Sequence, residues 1–246
     1  MSTENNTRFN AEAASWDSNP DVQLATQLAH AAYLDRLPHP SASDDLSNYD
    51  VLEIGCGTGL LSLALAPSVR SLTAVDAAQG MIAVLDDKIT SGGIQNVRAV
   101  CALLTDPDDE RLQTDPVTKT AYAPDKRPKR FDLVVSHLVL HHISDLRYLF
   151  STLAHCLKPG GRVMVTDFED FGPEARRFHP EDKMDGVERH GIQRDEIRGI
   201  LEGAGFVDVK VETAFEMDKL VETTPGSGVK GPTMRFPFLV CEGTRA

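Results

Sequence analysis

Three alternating glycines, Gly55, Gly57 and Gly59, follow the apolar run Val51-Leu52-Glu53-Ile54, and good helix formers continue from Leu60 to Ala66. This is the pattern of a buried strand, a tight turn and a helix start. Glycine lets backbone approach a ligand closely, and the open N–H groups at a helix start favour an anionic group. Asp76 ends the next apolar run, Ser71–Asp76, where a carboxylate can accept hydrogen bonds from both ribose hydroxyls. It can equally cap the following helix. Glu53 lies inside an apolar strand, and a buried carboxylate without a partner is costly. Further along, the adjacent His141 and His142, and later His190, are the residue types that accept a proton near neutral pH. Neighbouring positions are poorly disposed to share a metal, and no third ligand is visible in the sequence. No metal is therefore expected.

The spacing narrows the ligand. A dinucleotide-binding turn needs a third glycine at position 60, which is Leu60. A phosphate-binding loop needs a Lys after the last glycine, and none follows Gly59. Val51-Leu52-Glu53-Ile54-Gly55-Cys56-Gly57-Thr58-Gly59 resembles motif I of the class I S-adenosylmethionine-dependent methyltransferases. Phe9 to Asp17 resembles the F-x-x-x-A-x-x-W/Y-D start of the small-molecule branch. Leu140-His141-His142-Ile143-Ser144-Asp145 resembles the motif that follows strand four, and Lys158-Pro159-Gly160-Gly161 the turn into strand five. Val187-Glu188-Arg189-His190-Gly191-Ile192 resembles a V-x-R-H-G-[FI] segment found in a subset of bacterial and fungal members.

The resemblance runs from Phe9 to Cys241 and implies S-adenosylmethionine as cofactor. It implies a site built from Glu53, Gly55, Gly57, Gly59, Asp76, Ala77, Met81, Ala102, Leu103, Ser136 and His137. Trp16 would belong to a lid or anchor the first helix. Many relatives carry an Asp after strand three that binds adenine; here Val100-Cys101-Ala102-Leu103-Leu104 offers none, and Asp106 is the nearest acid. His142, His141 and His190 are the candidate bases, each with a purely structural role as the alternative. The methyl acceptor is expected to be a small molecule with an O, N, C or S nucleophile. A non-catalytic regulator using the same cofactor, and a macromolecular methyltransferase, are the other readings.

The elements that must position these residues alternate between strand and helix patterns. Strands are predicted at 51–54, 71–76, 96–101, 131–136, 162–168, 206–212 and 234–241, and helices at 60–66, 79–89, 146–157 and 194–204. Such alternation predicts an α/β, Rossmann-like fold, with a seven-stranded, mostly parallel sheet between helices. The resemblance adds an antiparallel last strand. Residues 1–8 read as disordered, and 9–37 as a helical region ended by Pro38-His39-Pro40. Residues 41–48 read as a polar linker between an N-terminal helical segment, 1–40, for which the resemblance implies the role of a lid, and a domain spanning 41–246. Two long connections, 105–130 and 169–193, separate later elements, the second leaving the carboxyl end of a strand, where ligands bind in such sheets.

The 246 residues suit one domain with such an appended segment, and 41% apolar residues suffice for a core. A formal charge of −12 disfavours nucleic-acid partners. The basic run Lys126-Arg127-Pro128-Lys129-Arg130 reads as a solvated loop. Cys56, Cys101, Cys156 and Cys241 form no paired motif. With no apolar stretch of membrane-spanning length, the chain reads as a cytoplasmic monomer or homodimer without a membrane partner.

Overall fold

The computed structural model describes residues 3–37, 45–121 and 128–246. Seven strands form one sheet: β1 (Asp50–Ile54), β2 (Ser71–Asp76), β3 (Val97–Cys101), β4 (Phe131–His137), β5 (Leu157–Phe168), β6 (Phe206–Glu222) and β7 (Lys230–Arg245). Their order is β3-β2-β1-β4-β5-β7-β6. Pairings from β3 through β5 are parallel, and β7 runs antiparallel to both neighbours. The expected sheet, including its antiparallel final strand, is the one observed.

Chain order reverses at β1, which has β2 on one side and β4 on the other. A crevice opens outside the carboxyl ends of strands at such a switch point. Gly55, just past β1, has φ +65°, and a Cβ there would lie 2.2 Å from Cγ2 of Val139, just past β4. Only a residue without a side chain lets the two strand exits meet this closely.

Alternation along the strands divides the core. Leu52 and Ile54 join the cluster beneath α5 (Leu146–Cys156) and α6 (Arg194–Gly203), including Phe150 and Ile197. Val51 faces the opposite cluster, with Tyr33, Leu61 and Leu85 from α2 (Pro20–Leu34), α3 (Leu60–Leu65) and α4 (Gln79–Ser91). Asp145 caps α5 by accepting from Tyr148 N at 2.9 Å.

Several sequence expectations need correction. The N-terminal region is two helices, because α1 (Thr3–Trp16) stops before Asn19, which caps α2 by accepting from Asp21 N at 3.0 Å with Pro20 at the helix start. Residues from Thr3 onward are helical rather than disordered. Arg8 donates to the carbonyls of Lys183 (2.5 Å) and Asp185 (2.9 Å), and Asn10 accepts from Gly80 N at 2.6 Å. The Pro38-His39-Pro40 stop and the linker through residue 44 lie outside the described residues, as do Lys126 and Arg127. Lys129, read as solvated, is buried, with its ammonium 5.1 Å from the Phe131 ring centre. Within 105–130, Asp115 orders the chain by accepting from Val117 N and Thr118 N and pairing with Arg70 at 2.8 Å.

The Lys-Pro-Gly-Gly turn is a bulge within β5, where pairing with β4 jumps from Phe131↔Leu157 to Leu133↔Arg162. The closing strands are 17 and 16 residues long, about twice the predicted lengths. Their outer halves carry charges on one face while Met217, Val221, Phe236 and Phe238 pack with Phe168 and Phe178. The mixed run Glu216-Met217-Asp218-Lys219 conceals that alternation.

Gly55→Ala is expected to lower stability by roughly 2 kcal/mol or more, because a left-handed conformation and a steric overlap add. Thermal unfolding checks this, and an unchanged midpoint would refute the role given to the Gly55–Val139 contact.

Candidate active site

A cavity of about 600 Å³ opens at the switch point and reaches from the glycine turn to the closing hairpin. Of the residues expected at the cofactor, Trp16, Glu53, Gly55, Gly57, Asp76, Met81 and His137 line it, as do the candidate bases His141 and His142. Gly59, Ala77, Ala102, Leu103, Ser136 and His190 are not among its lining residues. Gly59 (φ +82°) instead starts α3, with Leu85 where a side chain would go. Ala102 N donates to the Asp76 carbonyl at 2.8 Å, and Leu103 is exposed. Ser136 is buried, donating to the Ile54 carbonyl at 3.0 Å.

Asp76 holds the glycine turn, and a second carboxylate, Glu53, holds the helix that follows it. Asp76 accepts from Gly57 N at 2.9 Å and from Ala78 N at 2.8 Å, so it organises the turn and the start of α4 together. Burial pushes its carboxyl above the ordinary range, against those backbone donors. Glu53, 2% exposed, points toward α3 and accepts from the Ser62 hydroxyl. Burial pushes it up to about 8, opposed by the Ser62 bond and reinforced by the charge of Asp76. Ser62 is the buried partner Glu53 required, and it carried no signal beyond being a polar residue in an apolar helix.

The turn is covered by the α1–α2 corner. A Cβ at Gly57 would lie 3.9 Å from Trp16 Nε1, so the indole edge sits over the turn. Asp17 accepts from the Thr58 hydroxyl and pairs with Lys88, whose ammonium also donates to the Thr58 carbonyl at 2.8 Å. Phe9 packs edge-on to Trp16 and to His142, with centroids 5.7 and 5.3 Å apart.

The opposite wall is aromatic and rich in imidazole. After β4, Leu138 takes φ 57°, unusual for a branched residue, and the 3₁₀ turn Leu140–His142 follows. His141 places Nδ1 2.9 Å from each oxygen of Asp167 and donates its backbone N–H to the same carboxylate at 3.0 Å. Asp167 is fully buried and also accepts from Phe168 N. Burial alone would raise its carboxyl; the charge and hydrogen bonds of His141 outweigh that and hold it below the ordinary range. His142 donates from Nδ1 to the Gly186 carbonyl at 2.8 Å, and burial, then the charge of His141, lowers its pKa to about 3. His179 joins them, with its ring centre 4.9 Å from that of His141, and burial lowers it as well.

His137 shares a buried chain with Thr166 Oγ1 (2.8 Å), which also meets Tyr33 Oη at 2.9 Å. Its Nε2 is buried with no hydrogen-bond partner among the described residues, and burial lowers its pKa to about 4. Segment 169–193 is pinned to this wall through Glu188 N and Arg189 N, both donating to the His141 carbonyl. Asp167 and His179 were missed from sequence. Asp167 carried the same signal as Glu53, a carboxylate within an apolar strand; His179 is brought in only by folding.

A family model described as a methyltransferase domain matches residues 23–211. An uncharacterised methyltransferase of Schizosaccharomyces pombe is 32% identical over 163 residues, covering 61% of this chain and 54% of that protein. A ubiquinone biosynthesis O-methyltransferase of Xylella fastidiosa is 33% identical over 140 residues, covering 56% of this chain and 49% of that protein. The chain thus spans about half the length of these curated relatives. In fold, it resembles Haemonchus contortus phosphoethanolamine N-methyltransferase 2 in complex with S-adenosyl-L-methionine, with a TM-score of 0.60 and 17% identity. That alignment covers 96% of this chain and 60% of the other.

The chain belongs to the class I S-adenosylmethionine-dependent methyltransferases, and S-adenosylmethionine is its cofactor. The cavity fits that group: a bare glycine turn lies under an indole, the buried Glu53 and the partly buried Asp76 stand beside it, and the buried His137 Nε2 lacks a protein partner among the described residues. Among the described residues no helix is long and apolar enough to cross a membrane.

The raised pKa of Glu53 gives a stability signature with a definite sign. The folded protein holds this proton more tightly than the unfolded chain. That contribution is complete below the ordinary carboxylate range and is lost as pH rises through about 8. Urea unfolding of the cofactor-free protein across this window should show the decline, and Glu53→Gln should remove it. Equal pH slopes for the two proteins would contradict the assignment.

Proposed function

We propose that the chain transfers a methyl group to an oxygen or nitrogen atom of a small molecule, with His141 accepting the displaced proton. The observation that carries this reading is one cavity with the glycine turn on one wall and the Asp167-backed imidazole on the other. About 600 Å³ is the volume of a small-molecule site, and the charge of −12 is unsuited to a polyanionic acceptor. The named relatives, an O-methyltransferase of ubiquinone biosynthesis and a phosphoethanolamine N-methyltransferase, support an oxygen or nitrogen acceptor.

Gly55, Gly57, Glu53, Asp76 and Met81 would hold the cofactor, with Trp16 and His137 bordering it. S-adenosylmethionine supplies an electrophilic methyl group on a sulfonium centre. The protein's own part is alignment, exclusion of water and handling of one proton. Donation of Nδ1–H to Asp167 leaves the lone pair of His141 on Nε2. That atom can take the proton of an acceptor hydroxyl or ammonium, and Asp167 stabilises the resulting imidazolium. His142, with Nδ1 committed to Gly186 O, is the second candidate; His190 lies off the cavity lining and is the weakest. The α1–α2 corner, latched through Asp17, Thr58 and Lys88, serves as the lid.

Transfer of radiolabelled methyl from S-adenosylmethionine into a metabolite extract tests the activity. Cofactor binding with no labelled product would point instead to a regulatory binding protein. Once an acceptor is in hand, Asp167→Asn should lower kcat about 100-fold or more while leaving cofactor affinity near wild type. A wild-type rate would remove His141 from the role of base.

A further inference from the structure

The imidazole cluster has a property that proton transfer does not need. His141 and His142 come from one turn after β4, and His179 comes from the connection after β5. One ring nitrogen of each lies within 4.8 Å of those of the other two. Among the described residues, this is the one group of three potential metal-ligating side chains. Two of the rings are fixed from behind, His141 by Asp167 at 2.9 Å and His142 by the Gly186 carbonyl at 2.8 Å. Each contact takes Nδ1–H as donor and leaves the lone pair on Nε2. A carboxylate or carbonyl behind a ligating imidazole is the usual support of a metal-bound histidine.

We infer that His141, His142 and His179 form a binding site for one divalent cation of the zinc class, with its remaining coordination positions open to the cavity.

Three neutral imidazoles suit zinc and neighbouring transition metals rather than magnesium or calcium, which prefer oxygen ligands. Three protein ligands with an open position are also the arrangement of catalytic rather than structural zinc. Metal–nitrogen distances of about 2.0–2.1 Å require the rings to draw together by roughly an ångström. His179 can supply that movement, because it stands between the short 3₁₀ turns Pro173–Phe178 and Glu181–Lys183. Arg8 and Lys219 lie near enough to oppose a second positive charge. Asp167, fully buried against His141, favours it.

The ion and a transferable proton need the same lone pair on His141. The cation-loaded form therefore cannot use His141 as its base, and an acceptor with an oxygen or nitrogen donor would ligate the open positions instead. The site rests on the placement of the side chains, independently of the reading of His141 as base.

The test is a titration of chelator-stripped protein with zinc chloride, in competition with a chromophoric chelator. One equivalent should bind, and His179→Gln and His142→Gln should each weaken binding roughly tenfold or more, whereas His190→Gln, outside the cluster, should not. S-adenosylhomocysteine affinity and circular dichroism confirm that each variant is folded. Cobalt(II) in place of zinc should give visible absorption bands that His179→Gln abolishes. Zinc binding equal in wild type and His179→Gln, or no stoichiometric binding by wild type, overturns the site. Failure of methyl transfer with zinc binding intact would instead count only against the proposed activity.

Discussion

The contact between Gly55 and Val139 joins the exits of β1 and β4, and the site is organised around it. One wall of the cavity descends from the first exit and the other from the second. Were the strand ends held apart by a side chain at position 55, the glycine turn and the imidazole cluster could not share one cavity. The left-handed conformations at Gly55 and Leu138 are the local cost of that approach. The surrounding sheet, with β1 fully buried between β2 and β4, is stiff enough to hold both.

Two buried carboxylates, one on each side of this contact, show how the same problem is solved differently. Glu53 has a single hydroxyl partner and therefore favours its protonated form. Asp167 has an imidazole and two backbone N–H donors and stays ionised despite full burial. Desolvation acts on both in the same direction; the partners decide the outcome. One acid is thus tuned toward neutrality at the glycine turn, while the other keeps the charge that orients His141.

Much of the framework was legible in the sequence because local and global preferences agree there. Ser71–Asp76 was located without error, and the sheet class followed from alternation. The glycine turn was readable because alternating glycines behind a buried strand serve little except a tight corner that backbone or ligand must approach. Asp76 was readable because a strand-end carboxylate needs donors close at hand. The N-terminal break at Asn19 was hidden by helical periodicity on both sides, although Asn19-Pro20 is a helix-start signal. Asp167 was legible in principle, by the same argument that singled out Glu53. His179 was not, since only the fold of segment 169–193 carries it to His141. The hairpin length was obscured because only one face of its outer half is buried, and the mixed run Glu216-Met217-Asp218-Lys219 hides that alternation.

That outer half separates two demands that usually conflict. The inner residues of β6 and β7 complete the sheet, and three register shifts divide the ladder into short independent stretches. Beyond Phe215, Met217 and Val221 face the cavity's side of the molecule and the backbone continues past the sheet edge. Met217 and Val221 belong to a buried cluster, but Gly226, Gly228 and Lys230 at the tip are exposed and line the cavity, so change at the tip alters the shape of the chamber without passing through the core. The hairpin tip is consequently a place where evolution, or an engineer, can resize the chamber while leaving the glycine-turn wall untouched.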